Sequence, residues 1–225
     1  MTRVNIIVEG QTEETFVRDV LYAHFVQRNI FLNAIILRTS KYGRGGVSTY
    51  GKIRNDVLTR CKQDSSSIVT TMLDFYGLPS GFPGLQSIPS GNIYTKANHL
   101  EKQFKLDINE QNFIPNLIIH EFEGLLYSNP EIFSGYFSSE VTVLLQADRI
   151  AFESPEHINN NYETAPSKRI ERHSRTYQKA LHGPLIAKAI GIDVIRKECR
   201  HFNEWITALE ALSGQHDLGD HIRRG

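Results

Sequence analysis

The sequence predicts an α/β fold, a parallel four-stranded sheet flanked by helices with a C-terminal helical lobe. Three observations predict it. Short β-branched runs alternate with helix-period segments through the first 120 residues. Those runs are continuously apolar rather than alternating, as in strands covered on both faces. After about Ser138 the strand signals fade while helical periodicity persists.

Val4 to Val8 is apolar except for Asn5 and reads as a first buried strand. Thr12 is placed to cap the next helix, in which Phe16, Val17, Val20, Leu21, His24 and Phe25 recur at helical spacing to about Gln27. Glu13 and Glu14 fall in its first turn, where the helix dipole favours acids. Ala34 to Leu37 reads as a strand, Tyr50 to Cys61 as a helix, and Ile68 to Leu73 as a third strand ending at Asp74. This β-α-β-α-β order implies crossover helices and a parallel sheet. A Gly/Pro-rich loop, Gly77 to Gly91, leads to a helix at Tyr94 to Phe104 and a fourth strand at Phe113 to Ile119, followed by "HEFEG" at 120–124. Val141 to Ile150, Pro184 to Ile190 and Phe202 to Leu212 read as helices. The expected division is an α/β domain over 1–137, a helical lobe packed on it over 138–213, and a polar tail over 214–225.

With 225 residues, 40% apolar and 22% charged, the chain suits neither disorder nor a membrane class. Its 25 basic and 25 acidic residues cancel, so no whole-protein basic field exists to attract nucleic acid, and only a local patch can serve. The short, charged N-terminus and the lack of long apolar runs lead to the expectation of a cytoplasmic protein with no membrane association. Cys61 and Cys199 lack metal or redox spacing and read as ordinary buried thiols.

Glu9, Asp74 and the pair Glu121 and Glu123 all stand where predicted strands end. In a parallel sheet those ends share one edge, the usual site of ligands, so these acids are expected to converge. Crowded carboxylates are tolerated by protonation or by bound divalent cations, and oxygen-only ligands favour Mg²⁺ or Mn²⁺. Each acid taken singly also suits a helix cap or a solvated surface. If residues 120–123 stay extended, Glu121 and Glu123 share one side, whereas a helix starting at Glu121 spoils that arrangement. Glu13 is a further candidate beside the metal site.

Lys168, Arg169, Arg172, Arg175 and Lys179 crowd "PSKRIERHSRTYQKALHG", residues 166–183, beside the single acid Glu171. In a continuous helix Lys168, Arg172, Arg175 and Lys179 would form one stripe able to track phosphates, or a solvated basic face. Gly43, Gly45 and Gly46, with Lys41 and Arg44, form a loop whose amides can cradle phosphate, although it matches neither the P-loop nor the dinucleotide fingerprint. His120 reads as a packed or hydrogen-bonded residue, and Trp205 as core of the lobe.

"IIVEGQTEE" with "TTMLDFYGLP" resembles the Toprim domain, found in topoisomerases, primases and nucleases of the overcoming-lysogenization-defect class. More closely, "VEGQTEE", "LDFYGLP", "HEFEGLLYS", "PSKRIER", "HGPLIAKAIGID" and "CRHFNEWITALE" are similar to a bacterial Toprim-like family, domain of unknown function 4276, from residue 8 to about 210. The Toprim pattern is a Glu ending the first strand and Asp-x-Asp ending the third. Glu9 and Asp74 match it, but Phe75 and Tyr76 follow Asp74 and leave no second Asp, a ligand that Glu121 and Glu123 would replace.

The resemblance implies a Mg²⁺- or Mn²⁺-dependent nuclease cleaving DNA or RNA. In it Glu9, Asp74, Glu121 and Glu123 hold metal, Glu9 also moves a proton, and Lys168, Arg169, Arg172 or Lys179 steadies the phosphate. It also implies a role in anti-phage defence beside a separate ATPase subunit, with homo-oligomerisation open. The alternatives are a non-catalytic nucleic-acid or partner-binding module with vestigial acids, and a phosphatase or nucleotidyl transferase using the same carboxylates.

Overall fold

The computed structural model describes residues 1–37, 49–158 and 162–214. Lys41, Gly43, Arg44, Gly45 and Gly46 lie outside the described residues, as does the tail from 215. The first strand, β1 (Thr2–Val8), runs parallel to β2 (Ile30–Ile36) on one side and β3 (Ile68–Asp74) on the other. The strand order is β2-β1-β3-β4, where β4 is Phe113–Ile114, with β5 (Leu117–Ile118) also on β3, so chain order reverses between β1 and β3. Both crevice walls therefore come from strands whose carboxyl ends carry acids.

The observed β2 starts earlier than the expected Ala34, because Ile30, Phe31 and Leu32 pair in register with Thr2, Arg3 and Val4. The fourth strand is not continuous. It divides into β4 (Phe113–Ile114) and β5 (Leu117–Ile118), each parallel to β3. Pro115 has no N–H for the ladder, which breaks pairing there. Asn116 bridges the break. Its N–H donates to Thr71 Oγ1 at 3.1 Å, its Nδ2 donates to the Thr71 carbonyl at 3.1 Å, and the Thr71 hydroxyl donates to its carbonyl at 2.7 Å.

Strand alternation assigns side chains to two cores. On one face Val4, Ile6, Val8 and Met72 pack with Phe16, Leu21 and Phe25, from α1 (Gln11–Phe16), a π-helical turn (Val17–Leu21) and α2 (Tyr22–Val26). On the other, Ile7, Val69 and Leu73 pack with Ile53 and Val57 of α3 (Tyr50–Gln63) and Leu100 and Phe104 of α4 (Ile93–Ile108). Thr12 does not cap α1. Gly10 is its N-cap, with its carbonyl accepting the Glu14 N–H at 3.1 Å, and Thr12 is buried inside the helix.

The remaining helices are α5 (Glu123–Leu126), α6 (Ser139–Ile150), α7 (Pro166–His173), α8 (Lys179–Ile190), α9 (Ile192–Glu198) and α10 (Arg200–Glu210). Leu145, Ile170, Ile186, Phe202 and Trp205 from these helices join the first core without a break. The helix expected to start at Pro184 instead starts at Lys179 and passes through that proline. Its first turn is anchored on the Gln178 carbonyl, which accepts the Leu181 and His182 N–H groups at 3.1 and 2.8 Å. Gly183 lies against α1 and the "HEFEG" turn. A Cβ there would stand 3.1 Å from Phe122 Cε1 and 3.2 Å from Thr12 Cγ2, so glycine permits the close approach of α8. Cys61 and Cys199 are buried free thiols, and among the described residues no helix is long and apolar enough to cross a membrane.

Candidate functional site

Glu9 leaves β1 one residue before Gly10, and its Oε1 accepts the backbone N–H of Asp74 at 2.8 Å. The ends of β1 and β3 are thereby tied through the carboxylate itself. Asp74 Oδ1 in turn accepts the Phe122 N–H at 3.1 Å, and the Tyr76 N–H donates to the His120 carbonyl at 3.0 Å. The "LDFY" and "HEFE" segments are thus stitched together by the Asp74 carboxylate and by one backbone–backbone bond. His120 turns the chain there with φ of 64°, a left-handed conformation uncommon outside glycine.

That turn corrects the extended reading of 120–123. Phe122 is already helical as the N-cap of α5, so Glu121 and Glu123 diverge. Glu121 accepts the Ser167 N–H and, at 3.0 Å, the Ser167 hydroxyl, placing it at the start of α7. Glu123, fully buried, turns inward, where its Oε1 accepts the Tyr177 hydroxyl at 3.2 Å and its Oε2 lies 2.9 Å from Lys179 Nζ. That Oε2 has the ammonium as an ionic partner but no hydrogen bond of good geometry. Lys179 Nζ also lies 3.9 Å from Asp74 Oδ2. Glu13 is buried in the same region, and its charge acts on Glu9, Asp74 and Lys179 alike.

The electrostatics follow from this crowding. Burial raises Glu9 to about 7, opposed by the Asp74 N–H bond and reinforced by Glu13. Burial and then Glu9 hold Asp74 well above the ordinary carboxylate range, and burial raises Glu123 to about 7 despite Lys179. Burial alone would lower Lys179, but Glu123, Asp74 and Glu13 raise it instead, so it stays charged. His120 is pushed down to about 4 by burial and by His157, and is neutral near pH 7. The cluster is a set of carboxylates short of positive charge, with one lysine among them.

The basic stripe expected across 166–183 is interrupted. The α7 helix ends at His173 and α8 begins at Lys179, so Lys168 and Lys179 belong to different helices. Lys168 pairs with Glu171 at 2.7 Å, and Arg169 is bound to Asp148 at 2.9 Å, with His173 on the other oxygen of that acid. Arg172 donates to the Glu163 carbonyl at 3.1 Å, while Arg175 is exposed. Of these cations, only Lys179 has an ion pair to a cluster carboxylate among the described residues. Two partners escaped sequence reasoning, Ser167 and Tyr177. Gln178 is extended, which sends Tyr177 and Lys179 to the same side, so Tyr-x-Lys before the helix was the usable signal.

Glu121→Ala should lower stability by about 0.5–2 kcal/mol through loss of its bonds to the first turn of α7. Chemical denaturation checks this, and a loss no larger than that of the surface control Glu140→Ala would contradict the capping role.

The C-terminal region of the OLD protein of Xanthomonas campestris pv. campestris appears in two solved structures similar to this chain. The mercury-phased structure is 16% identical with a TM-score of 0.41, covering 92% of this chain and 98% of its own. The platinum-phased one is 17% identical with a TM-score of 0.41, covering 96% and 97%. No curated protein matches the chain. The family model that does match spans residues 8–210, from the last residue of β1 to the end of α10, and the chain belongs to that family, the domain of unknown function DUF4276.

Proposed function

We propose that the chain is a divalent-metal-dependent nuclease cleaving phosphodiester bonds of nucleic acid. The observation that carries this reading is the junction of Glu9 and Asp74 at the β1/β3 switch point, where one carboxylate binds the backbone of the other and both are held above their ordinary proton affinity. The donors are all hard oxygens, which fits Mg²⁺ or Mn²⁺. Glu9 and Asp74 would hold the ion, with Glu13 beside them and Glu123 behind Lys179. Among the described residues no three acidic, His or Cys side chains stand grouped as a ready metal site. Once bound, such an ion activates water and offsets charge on the phosphate.

The chain's own groups divide the remaining work. Glu9, titrating near neutral pH, can accept a proton. Lys179, charged and nearest the acids, is the cation suited to steady a phosphate oxygen, while exposed Arg172 and Arg175 can follow the backbone. A separate ATPase subunit and an anti-phage role extend the proposal on family resemblance alone.

The test is metal-dependent cleavage of DNA, RNA and phosphomonoester panels by wild type, Glu9→Ala and Asp74→Ala. Equal activity in all three proteins sinks the assignment, and turnover of phosphomonoesters alone moves it to a phosphatase. The position of Lys179 among the acids favours one second reading, a binding module whose site is neutralised from within. No affinity for Mg²⁺ or Mn²⁺ at millimolar levels, with nucleic-acid binding retained, would select it.

A further inference from the structure

We infer that Lys179 is the resident counter-cation of the carboxylate cluster, and that a divalent cation gains Glu123 and Asp74 only by displacing its ammonium. The inference rests on the metal-dependent reading and adds an exchange step within this chain. Three independent features support it.

The first is position. Nζ lies 2.9 Å from Glu123 Oε2 and 3.9 Å from Asp74 Oδ2, the oxygens that Tyr177 and the Phe122 N–H leave free. Two cations a few ångströms apart repel in a buried setting, so ammonium and metal compete for these oxygens. Glu123 Oε2, lacking a hydrogen bond of good geometry, has little besides the ammonium to hold it among the described residues. Whatever removes the ammonium must supply positive charge in its place, because a buried carboxylate without compensation is costly.

The second is the helix end. Lys179 is the first residue of α8, where the helix dipole disfavours a cation. The carboxylates, rather than the helix, therefore keep it inward, and their neutralisation removes the reason for it to stay. The third is a way out. Lys179 retains 39% side-chain exposure, and Arg175, Thr176 and Gln178 before it are exposed. Rotation about its flexible stem carries the ammonium off the carboxylates to the exposed mouth of the cluster, where it can still meet a phosphate oxygen. Gly183, pressed against Phe122 and Thr12, keeps α8 in place, so the exchange is a side-chain event.

Amine labelling of wild type, read by mass spectrometry with and without saturating Mn²⁺, tests the exchange directly. Exposed Lys188 on the same helix serves as control. Labelling of Lys179 should rise about fivefold or more when Mn²⁺ binds, with Lys188 unchanged, as the outward population grows. Calorimetry should show Lys179→Met binding Mn²⁺ about tenfold more tightly than wild type, since the competing cation is gone. Should that variant fail to fold, the wild-type labelling decides. Mn²⁺ binding with unchanged or reduced Lys179 labelling overturns the exchange and leaves the nuclease reading intact. No Mn²⁺ binding to either protein removes both. Exchange without cleavage of any nucleic acid supports the lysine's role and sinks the nuclease reading alone.

Discussion

Glu9→Gln should lower metal-dependent cleavage by at least about 100-fold while making the protein more stable at pH 8. The two effects share one cause. Burial raises Glu9 to about 7, against about 4.3 in an unfolded chain, so the folded state prefers the protonated acid. The contribution to stability is therefore favourable at low pH and is lost as pH rises from about 4.3 through 7. At pH 8 the full penalty applies, with an upper bound of roughly 4 kcal/mol at about 1.4 kcal/mol per pH unit. A neutral amide oxygen accepts the Asp74 N–H less strongly than a carboxylate does, so a net gain of about 1–2 kcal/mol is expected in the variant. Gln also keeps an oxygen for the Asp74 N–H, which limits structural loss. Thermal unfolding at pH 5 and pH 8 checks the sign, with the variant's advantage confined to pH 8. Retained cleavage, or an equal stability difference at both pH values, would count against Glu9 as an ionised ligand.

Trp205→Ala should have the largest effect on stability, about 3–5 kcal/mol, from the cavity it leaves. Its indole is 4% exposed in the core shared by β1, β3 and the C-terminal helices, and stacks edge-on to Phe202 at 5.8 Å. Its Nε1 donates to Thr70 Oγ1 at 3.0 Å, so the substitution also strands a fully buried hydroxyl on β3, worth about 1 kcal/mol more. Against a total of about 5–15 kcal/mol, this removes much of the margin. Trp205→Phe keeps most of the packing and should cost only about 1–2 kcal/mol. Denaturant unfolding separates the two, and a loss below about 1 kcal/mol for Trp205→Ala would mean that α10 contributes little to holding the sheet.

The strands that carry the acids were legible because each is a short run rich in apolar and β-branched residues, broken only by Asn5 in the first. Val4 to Val8 and Ile68 to Leu73 lie in β1 and β3, and Glu9 and Asp74 follow from the rule that parallel strands end together. Local pattern misled where a side chain substitutes for backbone. The Phe113 to Ile119 strand breaks at Pro115, and only Thr71, distant in sequence, lets Asn116 bridge the gap. Thr12 looked like a cap by residue type, yet the backbone of Gly10 fills that place. The basic residues of 166–183 looked alike in sequence. Ser174, the turn at Arg175 and Thr176 and the extended Gln178 divide them between two helices that face different partners.

By itself the sequence determined the parallel α/β plan, the covered strands and the two acids that end them, because hydrophobic period and strand direction are local properties of the chain. Only the tertiary structure decided which remaining charges join those acids. The left-handed turn at His120 sends Glu121 to Ser167 and Glu123 inward, and the close approach at Gly183 brings Lys179 to Glu123. Those choices depend on contacts between segments dozens of residues apart, where burial and charge act through space.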